Sequence, residues 1–176
     1  MKKCLIVVDY QNDFVDGALG FEKATKIEDR IVNLIEKYQS NKDDIIYTKD
    51  THEDDYLDTE EGQNLPVKHC IKGSAGHNLR PRIEALVRPQ DQIIEKPTFP
   101  SLELGEILKA AAYDAIELVG LVSNICVLSN AVIAKAACPN ARIIIDTAAT
   151  ASFDESLHEK ALDVLEGLHI HLKNRG

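Results

Sequence analysis

The run Cys4-Leu5-Ile6-Val7-Val8 contains no polar residue and stops at Asp9. A strand with one wet face alternates apolar and polar residues, so an unbroken run is the pattern of a strand buried on both faces. That feature requires cover above and below and restricts the chain to layers packed around a central sheet. Similar short segments recur at Ile45-Ile46-Tyr47-Thr48, Gln92-Ile93-Ile94-Glu95, Ile116 to Val119 and Ala141 to Thr147. Between them lie helical patterns. From about Thr25 to Tyr38, apolar residues Ile27, Ile31, Leu34, Ile35 and Tyr38 fall on one face. Ser101 is placed to cap a helix over Leu102–Tyr113, a further helix carries Cys126 through Ala137, and Ser152 or Asp154 caps one ending near Leu165. Ile83 to Val87 ends a short helix, Ala148 to Ala151 reads as a small-residue loop, and Leu168–Leu172 alternates like an edge strand. Strand, helix, strand in succession implies right-handed crossovers and parallel pairing. The expected fold is α/β: three layers, α/β/α, around a mostly parallel sheet of about six strands, in a single domain over residues 1–176.

Composition narrows the function. At 176 residues and 44% hydrophobic, the chain suffices for one sizeable core. A net charge of −9 argues against nucleic acid or an anionic membrane as the main partner and favours a small neutral or cationic ligand. No stretch approaches the ~18 apolar residues of a membrane span, and the N-terminus runs directly into the first strand. Neither a signal peptide nor a span is expected. Cys4, Cys70, Cys126 and Cys138 show no CxxC spacing, so a reducing, cytoplasmic location without disulfides or a structural zinc site is expected.

In open parallel sheets, ligands bind in the crevice beyond the carboxyl ends of the strands. Asp9 ends the first strand there, and Lys96 ends the third, closed by Pro97. Cys126 sits in the first turn of the helix that follows the strand break at Gly120. The free N–H groups and positive dipole end of such a turn favour a thiolate and offer an oxyanion site beside it. Each residue alone has an ordinary reading as a cap, a surface lysine or a packed thiol. Three at the carboxyl ends of three different parallel strands converge on one crevice.

A second set follows the second strand. Asp50, His52 and the later His69 are donors suited to Zn²⁺, Mn²⁺ or Fe²⁺, and a carboxylate from the long acidic loop between them completes the set. Glu61 beside Gly62 is the first choice and Glu60 the second. Phe14, in the polar loop over the site, lines the pocket, whereas His158, His169 and His171 are expected to face outward.

These blocks resemble the isochorismatase-like cysteine hydrolases, and within them the nicotinamidases. The resemblance rests on Asp9-Tyr10-Gln11-Asn12-Asp13-Phe14, Asp50-Thr51-His52, Leu65-Pro66-Val67-Lys68-His69-Cys70, Lys96-Pro97-Thr98-Phe99 and Gly120-Leu121-Val122-Ser123-Asn124-Ile125-Cys126-Val127. It implies a catalytic triad of Asp9, Lys96 and Cys126, a cis peptide before Val122, and an oxyanion hole from the N–H groups of Val122 and Cys126. It further implies a divalent metal, with zinc first and manganese or iron as alternatives, on Asp50, His52, His69 and Glu61. Phe14, Phe99 and Leu65 then contact the substrate ring; many relatives carry an aromatic residue where Leu65 stands. The implied reaction is deamidation of nicotinamide to nicotinate through a thioester on Cys126. The alternative is hydrolysis of another small amide or carbamoyl compound, though members with those substrates generally lack the metal set. Such proteins often form homo-oligomers. A receiver-like signalling domain also places Asp and Lys at strand ends, but it has no use for Cys126 or the two histidines.

Overall fold

The structure, a computed structural model, describes residues 1–175, so Gly176 lies outside it. Strand β1 (Lys3–Val8) is followed by the short helices α1 (Asn12–Val15) and α2 (Glu22–Lys26) and by α3 (Glu28–Ser40). Then come β2 (Asp44–Asp50), α4 (Glu60–Asn64), α5 (Pro81–Glu84), β3 (Gln92–Lys96), α6 (Leu102–Ala111) and β4 (Ala115–Leu121). A π-helical turn (Ser123–Val127) leads into α7 (Leu128–Ala137), and β5 (Arg142–Ala151), α8 (Glu155–Gly167) and β6 (His171–Lys173) complete the chain. The sheet runs β3-β2-β1-β4-β5-β6 with every pair parallel.

Strand β1 accounts for the layering. Cys4, Ile6 and Val8 face a core shared with α6, α7 and α8, while Leu5 and Val7 face another shared with α3 and α5. Each fully buried branched residue contributes about 1.5–3 kcal/mol relative to exposure, so the two faces stabilise the strand independently. Strand order reverses between β1 and β4, since β2 and β3 lie to one side and β5 and β6 to the other. Ligand crevices form at such a reversal.

Several boundaries differ from the sequence expectation. The helix expected over Thr25–Tyr38 is broken at Ile27, because the buried Tyr10 hydroxyl donates to the Ala24 carbonyl at 2.6 Å. A continuous helix would have offered that carbonyl to residue 28. Strand β4 does not stop at Gly120. It continues to Leu121 with Gly120 at φ 108°, where an added Cβ would lie 2.0 Å from the Val8 carbonyl oxygen. The loop expected at Ala148–Ala151 is a continuation of β5 past a bulge, fixed by pairing of Gly120 with Thr150 and by the Thr150 hydroxyl donating to the Gly120 carbonyl at 2.8 Å. The short helix expected to end near Val87 lies earlier, at Pro81–Glu84. The last strand starts later than the alternation at Leu168–Leu172 implies. His169 (φ 61°) ends α8, its N–H bonds the Glu166 carbonyl and that of Ile170 bonds the Leu165 carbonyl, a Schellman motif in which buried Ile170 packs back on the helix. Ser101 and Asp154 cap α6 and α8 as their positions imply, accepting from the N–H groups of Leu104 and Leu157.

Candidate active site

Where β1 ends, Asp9 adopts φ 45°, a left-handed conformation that Asp tolerates better than most residues. The turn aims its fully buried carboxylate across the sheet ends. Oδ1 accepts from the Thr48 hydroxyl at 2.7 Å, and Oδ2 lies 2.6 Å from Lys96 Nζ. Lys96, 1% exposed, also donates to the Thr98 carbonyl at 3.0 Å and to Cys126 Sγ at 3.7 Å. Asp9, Lys96 and Cys126 thus form one contiguous buried group.

Their charges are mutually determined. Burial lowers the affinity of Lys96 for its proton, but Asp9, Cys126 and Asp50 more than offset this, and its pKa lies above the ordinary lysine value. Burial raises the Asp9 pKa, and Lys96 only partly opposes it. Burial and then the Asp9 charge push the Cys126 thiol well above its usual value despite Lys96. Asp9 and Lys96 meet at ion-pair distance, and burial opposes charge on the neighbouring thiol.

Cys126 occupies the fourth position of the π-helical turn, preceded by a cis peptide between Leu121 and Val122. Two residues that the sequence reading passed over hold this turn. Asn130, fully buried, donates through Nδ2 to the carbonyls of Cys126 (2.8 Å) and Phe99 (2.9 Å) and accepts from the Ser101 N–H at 3.0 Å. It ties the cysteine turn to the Phe99 loop. His158, expected to face outward, instead places Nδ1 2.7 Å from the buried Ser123 hydroxyl.

Beside this group Asp50, His52, Glu61 and His69 bring one donor atom each within 4.8 Å of one another. Asp50 Oδ2 lies 2.9 Å from His52 Nε2 and 3.4 Å from His69 Nε2, and Glu61 Oε1 lies 3.5 and 3.8 Å from the same nitrogens. Donors bound at roughly 2.0–2.1 Å to one ion sit about 3.0 Å apart in octahedral and about 3.3 Å apart in tetrahedral geometry, so the set fits a divalent metal with little movement. Burial raises the Asp50 pKa, but hydrogen bonds from the two histidines and the Lys96 charge outweigh it, and Asp50 stays below the usual carboxylate range. His69 Nδ1 donates to the Val67 carbonyl at 2.8 Å, which orients the ring with Nε2 towards the cluster. Glu61 belongs to the first turn of α4, capped by the Thr59 side chain accepting from Gly62 N–H at 3.0 Å. A Cβ at Gly62 would lie 1.9 Å from the Tyr56 carbonyl oxygen, so glycine alone permits this turn. Glu60 is exposed and accepts from Asn64 at 3.1 Å, away from the cluster. Tyr56, also unforeseen, packs against both rings, tilted at 4.6 Å from His52 and edge-on at 5.0 Å from His69.

Both groups open on one small cavity of about 90 Å³. Cys126 and Val122, the donors Asp50, Glu61 and His69, and the apolar side chains of Phe14, Phe99 and Leu65 all line it. Phe14 meets the His69 ring edge-on at 5.5 Å. Phe153, a lining residue with no signal in the sequence, stands 6.1 Å edge-to-face from Phe21.

A buried cysteine, a carboxylate and a lysine at the switch point of a parallel sheet define a cysteine hydrolase of the α/β class. The isochorismatase domain matches residues 3–172, and the chain belongs to that family. It is 34% identical over 173 residues to an uncharacterized isochorismatase family protein, PncA, of Bacillus subtilis (strain 168), covering 92% of this chain and 93% of the relative. Against the crystal structure of nicotinamidase/pyrazinamidase PncA from Bacillus subtilis the TM-score is 0.89 at 32% identity, over 99% of this chain and all of that one (100%). The pyrazinamidase of Pyrococcus horikoshii in complex with zinc shares the fold, with a TM-score of 0.84 at 23% identity over 99% of this chain and 100% of that chain.

Proposed function

We propose that this chain deamidates nicotinamide to nicotinate and ammonia, with Cys126 as nucleophile. The observation that carries the reading is one cavity lined both by Cys126, the thiol of the Asp9–Lys96–Cys126 group, and by Asp50, Glu61 and His69 of the four-donor cluster. A heteroaromatic amide has those two ends: a carboxamide to be attacked and a ring nitrogen to be held. The naming of the Bacillus subtilis structure as a nicotinamidase/pyrazinamidase supports this substrate class, and zinc in the Pyrococcus horikoshii protein supports zinc here.

Attack by a thiol requires a base, and Asp9 takes the proton as Sγ bonds to the carboxamide carbon. The oxyanion is held by the N–H groups of Val122 and Cys126, and Lys96 supplies fixed positive charge nearby. Asp9 returns the proton to the departing nitrogen as the C–N bond breaks, releasing ammonia and leaving a thioester. Water then attacks the thioester carbon and gives a proton to Asp9. Nicotinic acid departs as Sγ recovers that proton, and it loses its own proton to solvent to give nicotinate. Asp50, His52, Glu61 and His69 would hold the divalent metal, which when bound supplies an anchor for the pyridine nitrogen, directly or through bound water. Phe14, Phe99 and Leu65 confine the ring between the two groups.

No helix among the described residues is long and apolar enough to cross a membrane. Its partner on this reading is a small-molecule amide, the substrate class that the names of its relatives carry. The test is ammonia release from nicotinamide by the wild-type protein and by Cys126→Ala, before and after chelation with Zn²⁺, Mn²⁺ or Fe²⁺ restored. Turnover that needs both Cys126 and a metal is expected. A wild-type protein inactive with all three metals would sink nicotinamide as the substrate.

A further inference from the structure

The β1–β2 ladder ends early. Its last paired residues are Val8 and Thr48, followed by the Asp9 N–H bonding the Thr48 carbonyl at 3.1 Å, after which Asp9 turns the chain out of the strand. Strand β2 nevertheless runs on to Asp50. On the side facing β1, the Asp50 main chain is satisfied by a side chain: Gln11 Oε1 accepts from the Asp50 N–H at 2.7 Å, and Gln11 Nε2 donates to the Asp50 carbonyl at 2.9 Å. The second Nε2 hydrogen goes to the His77 carbonyl at 2.8 Å. Gln11 is fully buried, and its primary amide supplies the rung that the departed strand cannot.

Asp50 is the residue whose placement matters most to both halves of the site. Oδ1 lies 3.5 Å from Lys96 Nζ, while Oδ2 faces His52 and His69. A small rotation of its backbone would move both oxygens. The same loop braces the other donor-bearing segment, since Asp13 Oδ2 accepts from the N–H of Cys70, next to His69, at 2.7 Å.

We propose that Gln11 is a positioning residue for the metal centre: its amide fixes the Asp50 main chain so that one carboxylate oxygen meets Lys96 and the other joins His52, His69 and Glu61. The inference rests on the metal-assisted reading above and concerns metal affinity. Partners behind metal ligands typically contribute about 10- to 100-fold in affinity.

The test is the affinity of metal-free protein for Zn²⁺ and Mn²⁺, read by competition with a chromophoric chelator and without substrate. Gln11→Met, similar in length with no amide, is expected to bind about 10- to 100-fold more weakly. Gln11→Glu keeps an acceptor for the Asp50 N–H but opposes two carbonyl oxygens, and is expected to fall in the same range. Tyr10→Phe loses the neighbouring buried hydrogen bond to Ala24 without touching Asp50, and should bind as wild type does. Wild-type affinity in a folded Gln11→Met, or an equal loss in Tyr10→Phe, overturns the proposal. If Gln11→Met fails to fold, Gln11→Glu carries the comparison, and wild-type affinity there overturns it too. Failure of both to fold, with or without Zn²⁺, would assign Gln11 to the fold alone. A wild-type protein that binds neither metal refutes the metal centre and the proposal with it. Inactivity on nicotinamide alone touches neither.

Discussion

Replacing Lys96 by Met removes a cation that is 1% exposed and leaves Asp9, 0% exposed, without a counter-charge. An unpaired buried carboxylate costs several kcal/mol, but it escapes by taking a proton. The cost is therefore capped by the free energy of protonating an aspartate at the working pH. With an unfolded value near 3.9 and about 1.4 kcal/mol per pH unit, the cap at pH 7 is about 4 kcal/mol. Relief of the buried ammonium's own desolvation brings the expected loss to about 3 kcal/mol. Its pH dependence is diagnostic. In the variant the folded-state pKa of Asp9 is raised above the unfolded one, so the folded state binds the extra proton and stability falls as pH rises between the two values. The penalty should shrink as pH is lowered from 7.5 to 5.5, by at most about 1.4 kcal/mol per unit. The chain has no Trp, so urea unfolding followed by circular dichroism with chelator present is the assay. The double variant Asp9→Asn/Lys96→Met removes both charges and should recover most of the stability while remaining inactive. Lys96→Met alone should lose about 10²–10³ in kcat. A penalty below about 1 kcal/mol, one independent of pH, or a double variant as unstable as the single would refute the account of Lys96 as the counter-charge of Asp9.

Ser123→Ala and His158→Ala should each lose about 1 kcal/mol, shifting Tm by about 2–4 °C, through the 2.7 Å bond that joins α8 to the cysteine turn. A double-mutant cycle checks it: strictly additive losses would show that the bond contributes nothing. Asp146 is buried against Arg30 (2.7 Å), Lys173 (3.5 Å) and Asn174 (2.8 Å). Burial raises its pKa, but the bonds from Asn174 and Arg30 and the nearby cations outweigh this and hold it low. Its contribution is thus present above the unfolded carboxylate value and is lost as pH falls through the lower folded one. Asp146→Asn should be destabilised by a constant amount from pH 5 to 8, and the gap to wild type should close below about pH 4. A gap unchanged at pH 3 would contradict this.

Strands β1 to β5 were legible because each is buried on at least one face and announces itself by apolar residues, and the residue at which each run stops is where the crevice begins. Asp9, Asp50 and Lys96 were therefore visible as positions before any of them had a partner. Cys126 was visible through the break at Gly120, although the strand itself continues one residue further because Gly120 accommodates the Val8 carbonyl rather than ending the ladder. Gln11, Tyr56, Asn130 and His158 were not legible as site residues. Gln11 and Asn130 act on main-chain groups, Tyr56 on two rings and His158 on a hydroxyl, contacts that no apolar pattern announces, and a buried amide in a loop such as Gln11 carries no periodicity. The alternation at His169 and His171 was misleading for a related reason: a helix C-cap and a short strand share the segment, and only the αL residue between them separates the two.

Strand order also explains which residue type stands at each end. The crevice lies between β1 and β4, so Asp9 and the turn carrying Cys126 are already adjacent to it, and a short side chain suffices for Asp9. Strand β2 is one place removed, and Asp50 lies between the two functional groups, with one oxygen towards each. Strand β3 is two places from β1, about 10 Å at ordinary strand spacing. An aspartate oxygen reaches roughly 3.5 Å and an extended lysine nitrogen roughly 6 Å from the Cα, so only a long side chain at β3 closes that gap to a hydrogen bond. Lys96 does so at 2.6 Å from Asp9, passing Asp50 on the way. Arginine has the length but not the shape: its planar fork would have to fit where a single ammonium meets two carboxylates, a main-chain carbonyl and a thiol. Lys96→Arg should therefore keep the charge and still lose activity, whereas a counter-charge acting only through its long-range field would be restored by it.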